Sequence, residues 1–261
     1  MTAPSIERDA ETFADALAVR LDAVAAAGRR VAVWWRDDDA VAATAALDRL
    51  LAVAARHRVP IALAAIPAPA EPSLARRLAD APEALVLQHG FAHANHQPAG
   101  SRAAEVGDAR PVDVVLAELA DGRRRLEDLV GARLLPVLTP PWNRIAPAVA
   151  ARRGEAGLPG LSTLGERCAA PLRLDTHLDP IAWRTTRGFH GFDRMLALLD
   201  EEIAARAPLA DPAPIGLLTH HLVHDAGVWA FAEAFVATTA AHPAADWPAV
   251  DAAFGLARHA A

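Results

Sequence analysis

Five times along this chain a short strand-like run ends in a cluster of polar, chemically capable side chains. Residues 31–35 run into Arg36-Asp37-Asp38-Asp39, and residues 84–87 into Gln88-His89-Gly90-Phe91-Ala92-His93-Ala94-Asn95-His96. Residues 134–138 precede Thr139-Pro140-Pro141-Trp142-Asn143-Arg144, residues 173–177 precede Leu178-Asp179-Pro180-Ile181-Ala182-Trp183, and residues 214–218 precede Thr219-His220-His221. Near-continuous apolar runs such as Val31-Ala32-Val33-Trp34-Trp35 suit strands buried on both faces, as in parallel sheets. Parallel α/β folds carry their chemistry at the C-terminal ends of their strands. The pattern therefore predicts a parallel fold whose polar clusters share one face.

Helical segments fill the intervals. Phe13, Leu17, Leu21 and Val24 recur at helical spacing over residues 6–27, with Gly28 as the stop. Further helices are expected over 44–57, through 74–78, and over 111–130, 148–153, 192–206, 227–241 and 246–259. Strands at 61–66 and 158–163 join the five already given, and residues 100–110 read as a polar loop over the site. Repeated strand-helix units imply parallel strands with right-handed crossovers. About seven strands is near the number that closes a barrel. The expectation is one domain over residues 1–261, a distorted (β/α) barrel of about seven parallel strands with helices 5–28 and 246–259 packed on it.

Composition narrows the function. A chain of 261 residues, 53% hydrophobic, can bury a large core. A net charge of −6 and a pI near 6.0 argue against nucleic acid as a partner. The single cysteine, Cys168, excludes an internal disulfide framework. The acidic N-terminal segment lacks the basic start and apolar core of a signal peptide, and no uncharged run is long enough to span a bilayer. A cytoplasmic protein acting on a small-molecule or carbohydrate substrate, with no membrane partner, is expected; composition leaves the oligomeric state open.

The chemistry starts from His89 and His93, four residues apart, which share a side if the backbone turns helically. Two neutral imidazoles and a carboxylate, with positions left open, make a divalent-metal site. Three consecutive carboxylates at a strand end repel one another unless a cation or arginine offsets them. A metal held by His89, His93 and one Asp relieves that repulsion and supplies a Lewis acid. A neighbouring carboxylate then serves as general base, His220 as general acid, and backbone N–H groups of the 141–143 turn face the developing oxyanion. No serine or cysteine nucleophile and no phosphate-cradling glycine loop competes with this set.

In this order the clusters resemble the motifs of the polysaccharide deacetylases of the NodB-homology type, carbohydrate esterase family 4. Arg36-Asp37-Asp38-Asp39-Ala40 stands where that family has Thr-Phe-Asp-Asp-Gly, and His89-Gly90-Phe91-Ala92-His93 matches His-(Ser/Thr)-x-x-His. Thr139-Pro140-Pro141-Trp142-Asn143 matches Arg-Pro-Pro-(Tyr/Trp)-Gly, Asp179-Pro180-Ile181-Ala182-Trp183 echoes Asp-Pro-x-Asp-Trp, and Leu218-Thr219-His220 matches Leu-x-His. The resemblance spans residues 31–221. It implies a distorted seven-stranded barrel, a divalent ion (zinc first, with cobalt, nickel or iron as alternatives), and removal of an acetyl group from an N-acetylated sugar or related amide.

Carried over by position, the resemblance implies Asp38 as general base and Asp39, His89 and His93 as metal ligands. It likewise implies Trp142 as an oxyanion donor, Trp183 as a wall of the acetyl pocket, and His220 as general acid. Asn143, Arg144, Asp179, His221 and Arg36 are expected to contact substrate. Three departures matter. The Asp triplet allows Asp37–Asp38 as well as Asp38–Asp39 as the working pair. Thr139 replaces the family's base-orienting arginine, a role open to Arg36 or Arg144, and Ala182 replaces the fourth motif's second aspartate. His96, His177, His221 and His224 are extra imidazoles expected near the site. A barrel that binds a carbohydrate or other small ligand without hydrolysing it is the competing reading, prompted by the lost arginine.

Overall fold

The computed structural model describes residues 3–256, from helix α1 (Ala3–Ala26) to the short α8 (Val250–Ala253). Between them run β1 (Val31–Ala40), α2 (Ala45–His57), β2 (Ile61–Ala65), α3 (Pro72–Ala79), β3 (Ala84–His89), α4 (Val112–Val130) and β4 (Leu134–Thr139). Then follow α5 (Pro147–Arg152), β5 (Gly160–Leu161), α6 (Phe192–Arg206), β6 (Ile215–Thr219), α7 (Ala226–Ala241) and β7 (Ala245–Asp246). Local chemistry sets several boundaries. The Thr44 hydroxyl accepts from the Leu47 N–H and caps α2, Asp225 does the same for Val228 at α7, and Gly28 stops α1 at φ +69°.

All named strand pairs are parallel, in the order β5-β4-β3-β2-β1-β6, with β7 pairing the start of β1. Residues 172–178 close the curled sheet into a distorted barrel. On one side they hydrogen-bond to Leu161 and Thr163, and on the other to Gly216 and Leu218. The expected strand at 173–177 is thus reduced to isolated bridges, and the seventh strand is instead β7, which the sequence pattern does not announce. Closure needs Gly216, where a Cβ would lie 2.6 Å from both the Asp175 carbonyl oxygen and the Thr176 Cα. The last helix is only four residues; residues 257–259 of the expected 246–259 helix lie outside the described residues.

Strand parity sorts the side chains of β1, since alternate residues face opposite sides. Trp34 faces inward with Ala62, Ala64, Leu85, Leu87 and Val137, and Phe254 from the α8 end packs edge-on against it at 5.7 Å, filling the barrel floor. Trp35 faces outward into the layer of helices α1, α2 and α7, where Phe13 meets Phe231 at 5.2 Å. Arg36 and Asp38 therefore share the interior with Trp34, above the floor, while Asp37 shares the outer face with Trp35. β1 also runs five residues beyond the expected strand end at residue 35, through the acid cluster, because β2 pairs it as far as Ala40, with a register shift after Asp38, and β6 as far as Asp37.

Candidate active site

Each residue of the Asp triplet has its own partner. Asp37 is fully buried on the outer face, where it accepts from the Thr219 hydroxyl at 2.6 Å, the His221 amide at 3.0 Å and His221 Nδ1 at 2.5 Å. Burial pushes its carboxyl up, but the His221 charge and hydrogen bond outweigh that and hold it below the usual range. Asp38 lies inside the barrel and accepts from Arg36 Nε at 2.8 Å and Nη2 at 3.1 Å. Asp39, at φ +73°, turns its carboxylate toward His89 Nε2 (3.3 Å) and His93 Nε2 (3.5 Å). The geometry thus groups Asp38 and Asp39, and separates Asp37 from both.

The histidines reach Asp39 by a route other than a helical turn. His89 is the last residue of β3, and the chain then reverses through left-handed Gly90 (φ +58°) and His93 (φ +57°). The His89 Nδ1–H donates to the Thr139 carbonyl at 2.9 Å, so the neutral ring presents the Nε2 lone pair to Asp39's side. Ligand atoms of Asp39, His89 and His93 all lie within 4.8 Å of one another, and Asp39 Oδ1 is buried without a hydrogen-bond partner. Burial raises the Asp39 carboxyl, yet the proximity of His89 foremost, and of His220 and His93, outweighs that and brings it down to about 2. An ionised carboxylate facing two imidazole nitrogens, one oriented by a backbone carbonyl, fits a divalent ion.

Around this group stand the turn residues. Trp142 packs on His93 at 4.4 Å between ring centroids, and both Trp142 and Asn143 are left-handed (φ +57° and +54°). The Asn143 and Arg144 N–H groups donate to the Pro140 and Pro141 carbonyls. Asn143 Oδ1 accepts from Arg36 Nη2 at 2.7 Å, and Ser162 Oγ from Arg36 Nη1 at 2.7 Å. Opposite, Trp183 meets the His220 ring edge-on at 4.8 Å and donates its indole N–H to Asp179 at 2.8 Å. Burial raises the Asp179 carboxyl. Four of the seven described non-glycine residues with positive φ (Asp39, His93, Trp142 and Asn143) sit here, a concentration of strain typical of functional sites.

No protein-family model matches the chain, and no curated protein matches it. Solved structures do. A Mycobacterium smegmatis protein named as a polysaccharide deacetylase superposes with a TM-score of 0.62 at 17% identity, over 90% of this chain and 94% of that one. The Bc1960 peptidoglycan N-acetylglucosamine deacetylase gives 0.57 at 13% identity, over 88% and 91%. The Bacillus subtilis peptidoglycan deacetylase PdaC gives 0.55 at 13% identity, over 86% and 90%. The chain has the NodB-type deacetylase fold.

Within this NodB-type barrel, several expected contacts lie elsewhere. Arg36 and His221 are enclosed, at 0% and 2% exposure, and are committed to Asp38 and Asp37 rather than open to substrate. Arg144 turns toward the Ala103 carbonyl at 2.6 Å. His96 is exposed. His177 lies at the opposite end of β6, with its Nδ1 accepting from the Gly216 amide at 2.9 Å. His224 Nε2 accepts from the His220 amide at 3.3 Å, and burial lowers its ring to about 4. Sequence reasoning missed Ser162 and Glu105, because neither stands in a motif; only the contacts reveal them.

Proposed function

We propose that the chain is a metal-dependent hydrolase that removes an acetyl or related acyl group from an N-acetylated sugar or similar amide. The convergence of Asp39, His89 and His93 beside an arginine-braced Asp38 carries this reading. Asp39, His89 and His93 would hold the ion, which when bound polarises a carbonyl and acidifies water. The chain's own groups supply the rest. Asp38 accepts the proton of the attacking water, its oxygens aimed by Arg36. The Trp142 N–H stands in the turn nearest His93 as donor to the developing oxyanion. His220 returns a proton to the departing nitrogen, and Trp183, held by Asp179, walls the acyl pocket.

The fold's relatives support the chemistry through their own printed activities, peptidoglycan N-acetylglucosamine deacetylation among them. A ligand-binding barrel without turnover is the competing reading, and a pseudoenzyme of carbohydrate esterase family 4, restored to activity in a mutant, shares the fold at a TM-score of 0.54. The competing reading for this chain rests on the arginine missing at Thr139. Arg36 pairs with Asp38 from within β1, which weakens that basis. The test is hydrolysis of N-acetylglucosamine and its short oligomers by zinc-loaded protein, with Asp38→Asn beside it. Turnover abolished by the substitution supports the hydrolase; ligand binding without turnover in the wild type supports the competitor.

A further inference from the structure

The loop that carries His93 is tied down by a carboxylate from a distant segment. Glu105 is 2% exposed, and its oxygens accept from the amides of Phe91 (2.9 Å), Ala92 (2.8 Å) and Ala94 (3.2 Å). These three N–H groups surround His93 and have no regular structure to satisfy them, since residues 90–97 are neither helix nor strand. Glu105 is itself anchored. Its neighbour Val106 is fully buried and bridges to Ile145, taking the Ala146 amide at 2.8 Å. Asn95 Oδ1 accepts from the Ala104 amide, and the His96 amide donates to the Ala104 carbonyl, lacing the two segments side by side.

Gly90 makes room for this arrangement. A Cβ at residue 90 would lie 1.9 Å from Glu105 Oε2 and 2.7 Å from Pro141. The glycine that replaces the hydroxyl residue of the His-x-x-x-His motif and the carboxylate of Glu105 are therefore two halves of one solution. Side chain and carboxylate cannot both occupy the space.

We infer that Glu105 is the positioning residue of the metal site, a buried carboxylate that fixes the loop carrying His93. Gly90 is its steric complement. The segment 100–110 is then a strap that holds the site together. This rests on the reading of Asp39, His89 and His93 as metal ligands. Groups that orient metal ligands from behind are worth about 10- to 100-fold in metal affinity.

The test is zinc affinity, read by competition with a chromophoric chelator, together with the melting temperature of metal-free protein. Glu105→Gln and Glu105→Ala are expected to weaken zinc binding at least about 10-fold. Gly90→Ala, which displaces the same carboxylate without removing it, is expected to weaken it comparably. Combined with Glu105→Ala, it is expected to cost less than the sum of the two. Glu202→Gln is the control. It breaks a buried carboxylate clasp on Arg167 and Arg206, remote from the site, and is expected to lower the melting temperature with zinc affinity unchanged. Affinity within two-fold of wild type in both Glu105 variants, or an equal loss in Glu202→Gln, overturns the role of Glu105 and leaves the ligand assignment standing. Wild-type protein that binds no zinc, cobalt, nickel or iron overturns the ligand assignment and this inference together. If Glu105→Ala does not fold, Glu105→Gln and Gly90→Ala decide.

Discussion

Arg36 and Asp38, two residues apart on one strand, grip each other through both guanidinium nitrogens Nε and Nη2 inside the barrel. The same guanidinium reaches Asn143 and Ser162, so one buried cation joins β1, the turn after β4 and the segment after β5. A bidentate pair fixes the plane of the carboxylate as well as its position.

Arg36→Ala is expected to cost activity and stability together. Loss of an oriented base lowers kcat by about 10²-fold or more. Asp38 left buried without its cation destabilises the fold by about 3–5 kcal/mol. Steady-state kinetics and denaturant unfolding check the two parts. Arg36→Lys restores charge without the fork and recovers stability better than kcat.

Asp37→Asn is expected to behave differently, because Asp37 faces the helix layer. Breaking its pair with His221 destabilises by about 3–5 kcal/mol. Zinc affinity stays near that of wild type, since Asp39, His89 and His93 are untouched. Unfolding curves and chelator competition on the same preparation separate the effects.

Metal removal is expected to abolish turnover and lower the melting temperature, with zinc restoring both. Ion present at about 100 times its Kd stabilises the folded chain by about 2.7 kcal/mol. His89→Ala and His93→Ala are expected to lose that zinc-dependent rise, which differential scanning calorimetry reads directly.

Acid is expected to destabilise the fold through His177. Its Nδ1 accepts from Gly216 and its Nε2–H donates to the Glu166 carbonyl, so the neutral ring is fully bonded and leaves no place for a second proton. Burial, followed by the charge of Arg206, lowers it to about 4. The unfolded chain takes up the proton near pH 6.5, so this contribution is complete above that pH and is lost as pH falls toward 4. Unfolding free energies at pH 7, 6 and 5 are expected to decline, and His177→Gln is expected to lower stability at pH 7 while flattening the decline.

Local sequence pattern specifies the alternation of strands and helices, the parallel sheet, and the polar clusters at the ends of β3, β4 and β6. Those properties follow from local apolar runs, caps and stop signals, each legible within a dozen residues. Helix α6, expected over 192–206, spans Phe192–Arg206. Helix α4, expected over 111–130, differs from Val112–Val130 by one residue.

Tertiary structure alone decided how the Asp triplet divides. Pairing of β1 between β2 and β6 extends the strand through all three acids, and strand parity then sends Asp37 outward and Asp38 inward. The positive φ of Asp39 aims its carboxylate at the histidines. Only the fold could bring Arg36 to Ser162, 126 positions away, or Glu105 against Gly90. Sequence pattern records which face a segment buries, because that depends on neighbours along the chain. It does not record which buried polar atom meets which, because that depends on register and backbone reversals settled when distant segments pack.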